Sequence, residues 1–394
     1  MKYICFNPFY VLKPDNGKVL MLAALQGRNL LKGIDDSFTN VIHPIYAMIL
    51  SFIDGRLYED CVNEAAEQLG VEKSLVAKFV DSLLDVPNSV TLHGKDGFSS
   101  FPPNSIISSE VSFGVNKRYN AEMFEFSKVN LQIERHLTPS TITLMVNNIC
   151  VTDCIYCYQD KSQKTNCSIP LERINELIDE AYNLHVNTFN VIGGEFFLYK
   201  HWKEVLAKLR SYGYHPYLST KMPLSEEIVK FLAEIKIHDI QVSIDSLIEG
   251  HLIPSLHVKN GYVSQMLRTL RLLEKYKIPV MVHSVLTKYT NSVADMKSIY
   301  DALCNLTNIV DWHVVKGEET LYPKTAYKNI EIKNDDLNQV VAYLDRMKLE
   351  SKISIHAPRP IAPTIELSGS QNGDANFFGR SFCSGLYSSL LYTP

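Results

Sequence analysis

Cysteine is scarce, with eight in 394 residues, too few to staple so long a chain as a disulfide scaffold. There is no surplus of positive charge either. Lys+Arg number 39 against 43 Asp+Glu, a net charge of −4, which argues against generic binding to nucleic acid or to an anionic membrane surface. No apolar run approaches the ~18 residues of a membrane span. The N-terminus, Met1-Lys2-Tyr3-Ile4-Cys5-Phe6-Asn7-Pro8, lacks the apolar core of a signal peptide. A cytoplasmic protein is the expectation. What is present is an ordinary globular composition, 46% hydrophobic and 21% charged, at a length that allows two or three domains with cores of their own.

The first hundred residues read differently from the rest. Two apolar runs, Tyr10-Val11-Leu12 and Lys18-Val19-Leu20-Met21-Leu22, flank Pro14-Asp15-Asn16-Gly17, a cluster of turn residues that predicts a hairpin. Helical patterns follow. His43-Pro44 opens one (Ile45, Met48, Ile49, Phe52) that Gly55 should close, and two more run through Tyr58–Leu69 and Ser74–Leu84. In the last, Leu75, Val76, Phe79, Val80, Leu83 and Leu84 make one apolar stripe, with Ser74 as its expected N-cap. A hairpin plus three helices predicts a winged-helix-like module over residues 1–100. Punctuation at Phe101-Pro102-Pro103-Asn104 and His136-Leu137-Thr138-Pro139 predicts a linker over 101–140.

Beyond it strands and helices alternate. Apolar runs at Ile142–Val146, Thr188–Ile192, Tyr217–Ser219, Ile240–Ile244, Val280–Leu286 and Val310–Val315 are separated by helical patterns such as Leu171/Ile174/Ile178/Ala181 and Trp202/Val205/Leu206/Leu209. Such alternation predicts parallel strands joined by right-handed crossovers. Six units fall short of a closed eight-unit barrel, so an α/β partial (β/α)6 barrel over 141–320 is expected, with its chemistry at the C-terminal strand ends. A further helix (Leu337, Val340, Val341, Leu344, Met347) and a short strand at Ile353–Ile355 lead into a Gly/Ser/Asn-rich loop at 369–373.

Three of the eight cysteines crowd into eight residues as Cys150-Val-Thr-Asp-Cys154-Ile-Tyr-Cys157, in the loop after the first of these strands. Three thiolates on one tight loop suit three corners of an iron–sulfur cube, leaving one iron open to a bidentate small molecule. Structural zinc needs a fourth ligand, and neither Cys167 nor His185 lies at a usual finger spacing.

This spacing, with Tyr156 before the last cysteine and a six-unit α/β array around it, resembles the radical S-adenosylmethionine (SAM) superfamily. Gly193-Gly194-Glu195 at the end of the second strand is similar to the family's GGE motif, where glycine backbone and a carboxylate meet the amino group of SAM. Ser219-Thr220-Lys221 and Ser243-Ile244-Asp245, ending the third and fourth strands, resemble the polar strand ends that reach the SAM carboxylate and ribose. The implied cofactor contacts are thus Tyr156, Gly193, Gly194, Glu195, Thr220, Lys221, Ser243 and Asp245, with Asn291 after the fifth strand a thinner match. Cys150, Cys154 and Cys157 are the implied cluster ligands. The Gly-rich sixth-strand element of some members is missing; Trp312-His313-Val314-Val315-Lys316 stands in its place. His283 on the fifth strand reads as a packed barrel residue. The resemblance implies a [4Fe-4S] cluster, SAM, an electron donor such as flavodoxin or ferredoxin, and a 5′-deoxyadenosyl radical that abstracts hydrogen from substrate.

The N-terminal module resembles the PqqD-like peptide-recognition element fused to many radical SAM peptide maturases. Between Asp54 and Asp85 three basic residues face eight acidic ones, a surface that repels phosphates rather than reading DNA. Peptide capture by strand addition to the hairpin edge, beside the third helix, needs no basic groove. Phe382-Cys383-Ser384-Gly385 resembles the opening of the cysteine-rich SPASM extension that carries auxiliary iron–sulfur clusters, and the end of the sequence at Pro394 implies that 321–394 is a bridge into a truncated extension of that type. The expected function is radical maturation of a ribosomally made precursor peptide (RiPP), an oxidoreductase-type reaction installing a thioether or carbon–carbon cross-link. The alternatives are a sulfatase-maturase-like enzyme acting on a protein and a non-catalytic peptide-binding carrier with a zinc-filled or degenerate site.

Overall fold

The computed structural model describes residues 2–23, 39–115, 117–132, 137–159, 166–319, 327–358 and 389–393. The described parts of Met1–Ile142 and Asp179–Thr188 form one compact unit, and those of Thr143–Ile178 and Phe189–Gly373 form another.

The first unit contains β1 (Tyr3–Phe6), β2 (Tyr10–Asp15), β3 (Lys18–Ala23), β4 (Thr39–Ile42), α1 (Pro44–Leu50), β5 (Asp54–Leu57), α2 (Tyr58–Leu69), α3 (Lys73–Leu83), β6 (Val90–Gly94), β7 (Gly97–Phe101) and β8 (Ile106–Ser109). Its sheets have the orders β5-β1-β8, β2-β3-β4 and β6-β7, all antiparallel. The expected hairpin is β2–β3. Its two-residue turn, Asn16-Gly17, has both φ values positive, at 42° and 84°, the backbone twist that matches the flanking strands. His43 caps α1, its Nδ1 accepting from the Ile45 N–H, while Pro44 occupies the first turn where no intrahelical N–H is needed.

Several expectations for this unit are corrected. Helix α1 stops at Leu50, and Gly55 instead lies in β5 with φ 105°, where a Cβ would meet the Gly114 carbonyl oxygen at 2.4 Å. Helix α3 starts earlier than Ser74, with Glu72 at its N-cap. Its stripe is narrower too: Val76, Phe79, Val80 and Leu83 are buried, whereas Leu75 is 57% exposed. The described part of 101–140 packs on its neighbours, with β8 joining the β1 sheet and Phe101 and Phe124 fully buried in the core. Nor does the hairpin offer an open edge on the β2 side. Tyr10, Val11, Leu12 and Lys13 are each 1% exposed or less, and the Leu12 N–H is taken by the Tyr119 hydroxyl at 3.1 Å.

The second unit follows the expected alternation: β9 (Thr141–Met145), α4 (Leu171–Asn183), β10 (Thr188–Ile192), α5 (Trp202–Ser211), β11 (Ser219–Thr220), α6 (Glu226–Glu234), β12 (Ile240–Ser243), α7 (Glu249–Leu256), α8 (Tyr262–Lys275), β13 (Val280–Leu286), α9 (Val293–Leu303), β14 (Ile309–Lys316), α10 (Asn334–Glu350) and β15 (Ser354–His356). Strands β11-β12-β13-β14-β15 form one parallel sheet, and β9 lies beside β10. No strand ladder joins β10 to β11 among the described residues; the Tyr217 N–H donates to Asn190 Oδ1 there, at 3.0 Å. Helix starts are set by side-chain caps, with Ser225 on α6 and a Ser292/Asp295 capping box on α9. The apolar strand β13 is buried at every position except His283, which is half-buried. Phe382-Cys383-Ser384-Gly385 and the loop at 369–373 lie outside the described residues. No helix among the described residues is long and apolar enough to cross a membrane.

Candidate active site

The site starts where β9 ends. The chain leaves Val146, whose N–H bonds to the Ile192 carbonyl at 2.9 Å, and turns through Asn147-Asn148-Ile149 into the cysteine loop. Three further bonds tie that turn to the end of β10: Gly194 N–H to Asn147 O at 2.9 Å, Glu195 N–H to Ile149 O at 2.6 Å, and Asn147 Nδ2 to Glu195 O at 3.2 Å. Gly194 is sterically required, and Gly193 is tightly placed. A Cβ on Gly194 would lie 2.3 Å from the Ile149 carbonyl oxygen, and one on Gly193 would lie 2.9 Å from Asn147 Oδ1.

This junction forms one wall of a cavity of about 370 Å³. Of the residues the sequence singled out, Cys150, Cys154, Cys157, Tyr156, Gly193, Gly194, Thr220, Lys221 and Ser243 line it. Thr152, Gln159, Phe196, Tyr217 and Gln241, which the sequence did not single out, line it too, as does the barrel residue His283. Gln241 and Ser243 stand two apart on β12 and therefore point to the same face, a signal that was available. Burial and the Lys221 charge lower the His283 pKa to about 4, which leaves a neutral imidazole on the cavity wall.

Glu195 and Asp245 do not line the cavity; they stand behind it and hold its wall. Asp245, 1% exposed, accepts from Lys221 Nζ at 3.0 and 3.1 Å, from the Val285 N–H at 3.0 Å and from the Tyr156 hydroxyl. One buried carboxylate thereby fixes two cavity-lining side chains. Glu195 accepts from Thr220 Oγ1 at 2.9 Å and from the Lys221 N–H at 3.2 Å. Burial raises its pKa to about 7 against these hydrogen bonds. Asn291 is not brought to the site. The turn Thr287–Thr290, closed by Thr290 N–H to Thr287 O at 3.1 Å, carries it to the start of α9, where its Nδ2 lies 3.4 Å from Asp336 Oδ2.

The residues fit the implied cluster better than a single ion. The Thr152 hydroxyl lies between two thiols, 3.4 Å from Cys150 Sγ and 3.3 Å from Cys154 Sγ. Cys150, Cys154 and Cys157 are not among the described donor groups that converge within 4.8 Å, as thiolates about 2.3 Å from one zinc would. Three soft donors spread around a cavity mouth suit a multi-iron group, with the third wall left to a small polar ligand. Burial pushes the Cys154 thiol up, opposed by the Lys221 charge, which favours the thiolate a ligand must be.

Residues 144–303 match the Radical SAM superfamily. Solved structures of similar fold include Streptococcus suis SuiB bound to S-adenosylmethionine, with a TM-score of 0.63 and 12% identity over 99% of this chain and 80% of that one. SuiB bound to the precursor peptide SuiA gives a TM-score of 0.63 and 12% identity over 99% of this chain and 81% of that one. At that identity the likeness is one of fold. No curated protein matches the chain.

Two outcomes follow from this geometry. Gly194→Ala forces the cysteine loop away from β10, so after anaerobic loading its iron content, read by colorimetric assay, should fall several-fold below wild type with the helical circular dichroism retained. The raised pKa of Glu195 has a definite sign: between its ordinary 4.5 and about 7 the unfolded chain has released the proton and the fold still holds it. Stability of the cofactor-free protein should therefore fall as pH rises through that window, by about 3 kcal/mol from this group. Thermal unfolding against pH checks it, and Glu195→Gln should flatten that part of the profile.

Proposed function

We propose that this protein is a radical SAM enzyme that matures a ribosomally made precursor peptide, installing a thioether or carbon–carbon cross-link. The observation that carries the reading is the cavity walled by three cysteines, the Gly193-Gly194 turn and the polar ends of β11 and β12. Cys150, Cys154 and Cys157 would hold a [4Fe-4S] cluster, and Gly193, Gly194, Thr220, Lys221 and Ser243 would receive SAM, with Glu195 and Asp245 steadying the wall. When bound, these groups supply reductive carbon–sulfur cleavage and hydrogen-atom abstraction from an unactivated carbon, the electron coming from a flavodoxin- or ferredoxin-type donor.

The protein's own residues do the positioning. The Asp245 carboxylate keeps the Lys221 ammonium and the Tyr156 hydroxyl fixed, so that neither must reorganise when a charged ligand arrives. Phe196, Ile192 and Val285 give the cavity apolar walls that exclude water from the reacting centre. The strand order β11 to β15, with β9 and β10 preceding, supports an open (β/α)6 barrel as the frame.

The peptide substrate is supported by the fold likeness to SuiB, which spans the first unit as well as the second and includes a structure bound to a precursor peptide. The first unit would be the PqqD-like, winged-helix leader-binding element. Because β2 is closed to strand addition, the exposed face of α3 that carries Leu75 is the contact we assign to the leader.

The test is anaerobic loading with iron and sulfide, then SAM, a strong reductant and the product of each short open reading frame found beside the gene, with 5′-deoxyadenosine and peptide mass as readouts. Wild type should form deoxyadenosine and shift the peptide mass, while Cys150→Ala/Cys154→Ala/Cys157→Ala should do neither. Iron-loaded wild type that forms no deoxyadenosine would overturn the enzyme reading. Deoxyadenosine with no change in the peptide would overturn the substrate.

A further inference from the structure

Beyond the segment that matches the superfamily, the last two strands of the parallel sheet carry a second cluster of metal-binding side chains. Asp311 and His313 stand two apart on β14 and so share a face of the sheet. On β15, His356 is the register partner of His313. The donor atoms of all three lie within 4.8 Å of one another. His313 Nε2 is 2.9 Å from Asp311 Oδ2, and His356 Nε2 is 3.0 Å from Asp311 Oδ1. We infer that Asp311, His313 and His356 form a site for one divalent first-row metal ion, of the Zn²⁺ or Fe²⁺ class, separate from the cysteine site.

The plain alternative is a carboxylate that accepts two imidazole N–H bonds, and only one of the two contacts has that geometry: His313 Nε2 is hydrogen-bonded to Asp311 Oδ2 at 2.9 Å, whereas the hydrogen bond of His356 Nε2 is with Ser354 Oγ at 3.1 Å. Asp311 is 5% exposed, yet its Oδ1 accepts no hydrogen bond even with a ring nitrogen 3.0 Å away. The two imidazoles are stacked, centroids 4.1 Å apart and planes 18° from parallel, with both Nε2 atoms turned toward the same carboxylate. Two N–H dipoles aligned side by side repel, whereas two lone pairs directed at one cation are each stabilised. Donor separations of roughly 2.9–3.4 Å are what ligands about 2.1 Å from a shared ion show. Two histidines and one carboxylate also match the borderline softness of Zn²⁺ and Fe²⁺, and disfavour Mg²⁺ and Ca²⁺. Asp311 is buried at the back of the site, while the His313 and His356 side chains are 30% and 48% exposed. The open coordination positions therefore face outward, where water or an incoming donor can reach them.

Placement gives the site a relation to the cavity. Ser243, His283, His313 and His356 are register partners in turn across β12, β13, β14 and β15. The first two line the cavity. At about 4.8 Å per strand, the metal site lies roughly 5–10 Å along the same row from His283.

The test is a metal count on the full chain. Iron-loaded protein is equilibrated with buffered micromolar Zn²⁺, passed through a desalting column and assayed for zinc and iron by mass spectrometry. The same count on full-length Cys150→Ala/Cys154→Ala/Cys157→Ala removes any zinc held by thiols, so failure of the cluster reading does not obscure the result. About one zinc per chain is expected in both proteins. Zinc should fall at least tenfold in His313→Ala/His356→Ala, and in Asp311→Asn, which preserves shape, with the iron content unchanged. Zinc content equal in wild type and the histidine variant, or no zinc retained by wild type, would overturn the inference. So would equal retention of Mg²⁺ in place of zinc.

Discussion

The contact between Gly194 and the carbonyl of Ile149 is the constraint on which the candidate active site depends. A strand end and a loop approach so closely that a single methyl group would collide with backbone at 2.3 Å, and backbone cannot swing aside as a side chain can. Hydrogen bonds from Gly194 and Glu195 to Asn147 and Ile149 then lock the approach. The consequence reaches beyond the turn itself. Cys150 follows Ile149 directly, so the orientation in which the cysteine loop departs is set by the glycines of a strand more than forty residues later.

Around that junction the polar groups are arranged in two depths. Cys150, Tyr156, Thr220, Lys221 and Ser243 face the cavity, and Glu195 and Asp245 stand behind them. Asp245 is the more consequential of the two carboxylates. It accepts from a lysine, a tyrosine and a backbone N–H at once, and removing it would leave a lysine charge uncompensated in a poorly solvated place, a loss of about 3–5 kcal/mol. Such a network costs folding energy and returns a preorganised, charged wall, the property a small zwitterionic ligand requires.

Much of this was legible in the sequence because it rests on short-range chemistry. Asn16-Gly17 and His43-Pro44 specify their turn and cap locally, and β13 announces itself by the apolar residues of Val280–Leu286. The cysteine spacing and the Gly-Gly-Glu turn named their own positions. What escaped reading was set by distant partners. Strands β1, β5 and β8 are short and pair across fifty or more residues, and nothing in Tyr3–Phe6 alone reveals that a strand from 106–109 will lie beside it. Leu75 fits the apolar period of α3 yet faces outward, because period cannot say where the neighbouring elements stop. Asn291 matched by order along the chain, but the threonine turn at 287–290 redirects it. The Asp311, His313 and His356 cluster is invisible to spacing, since it forms only when β15 joins the sheet in register.

The central claim is that three thiols at the Gly193-Gly194 junction hold a cluster with one iron left open to SAM. Electron paramagnetic resonance of the iron-loaded, reduced protein tests it most directly, recorded before and after SAM is added. A four-iron signal whose g values change on addition of SAM, and which is absent from Cys150→Ala/Cys154→Ala/Cys157→Ala, is the expected result. A four-iron signal indifferent to SAM, or wild-type protein that takes up zinc at these cysteines and no iron, would contradict it.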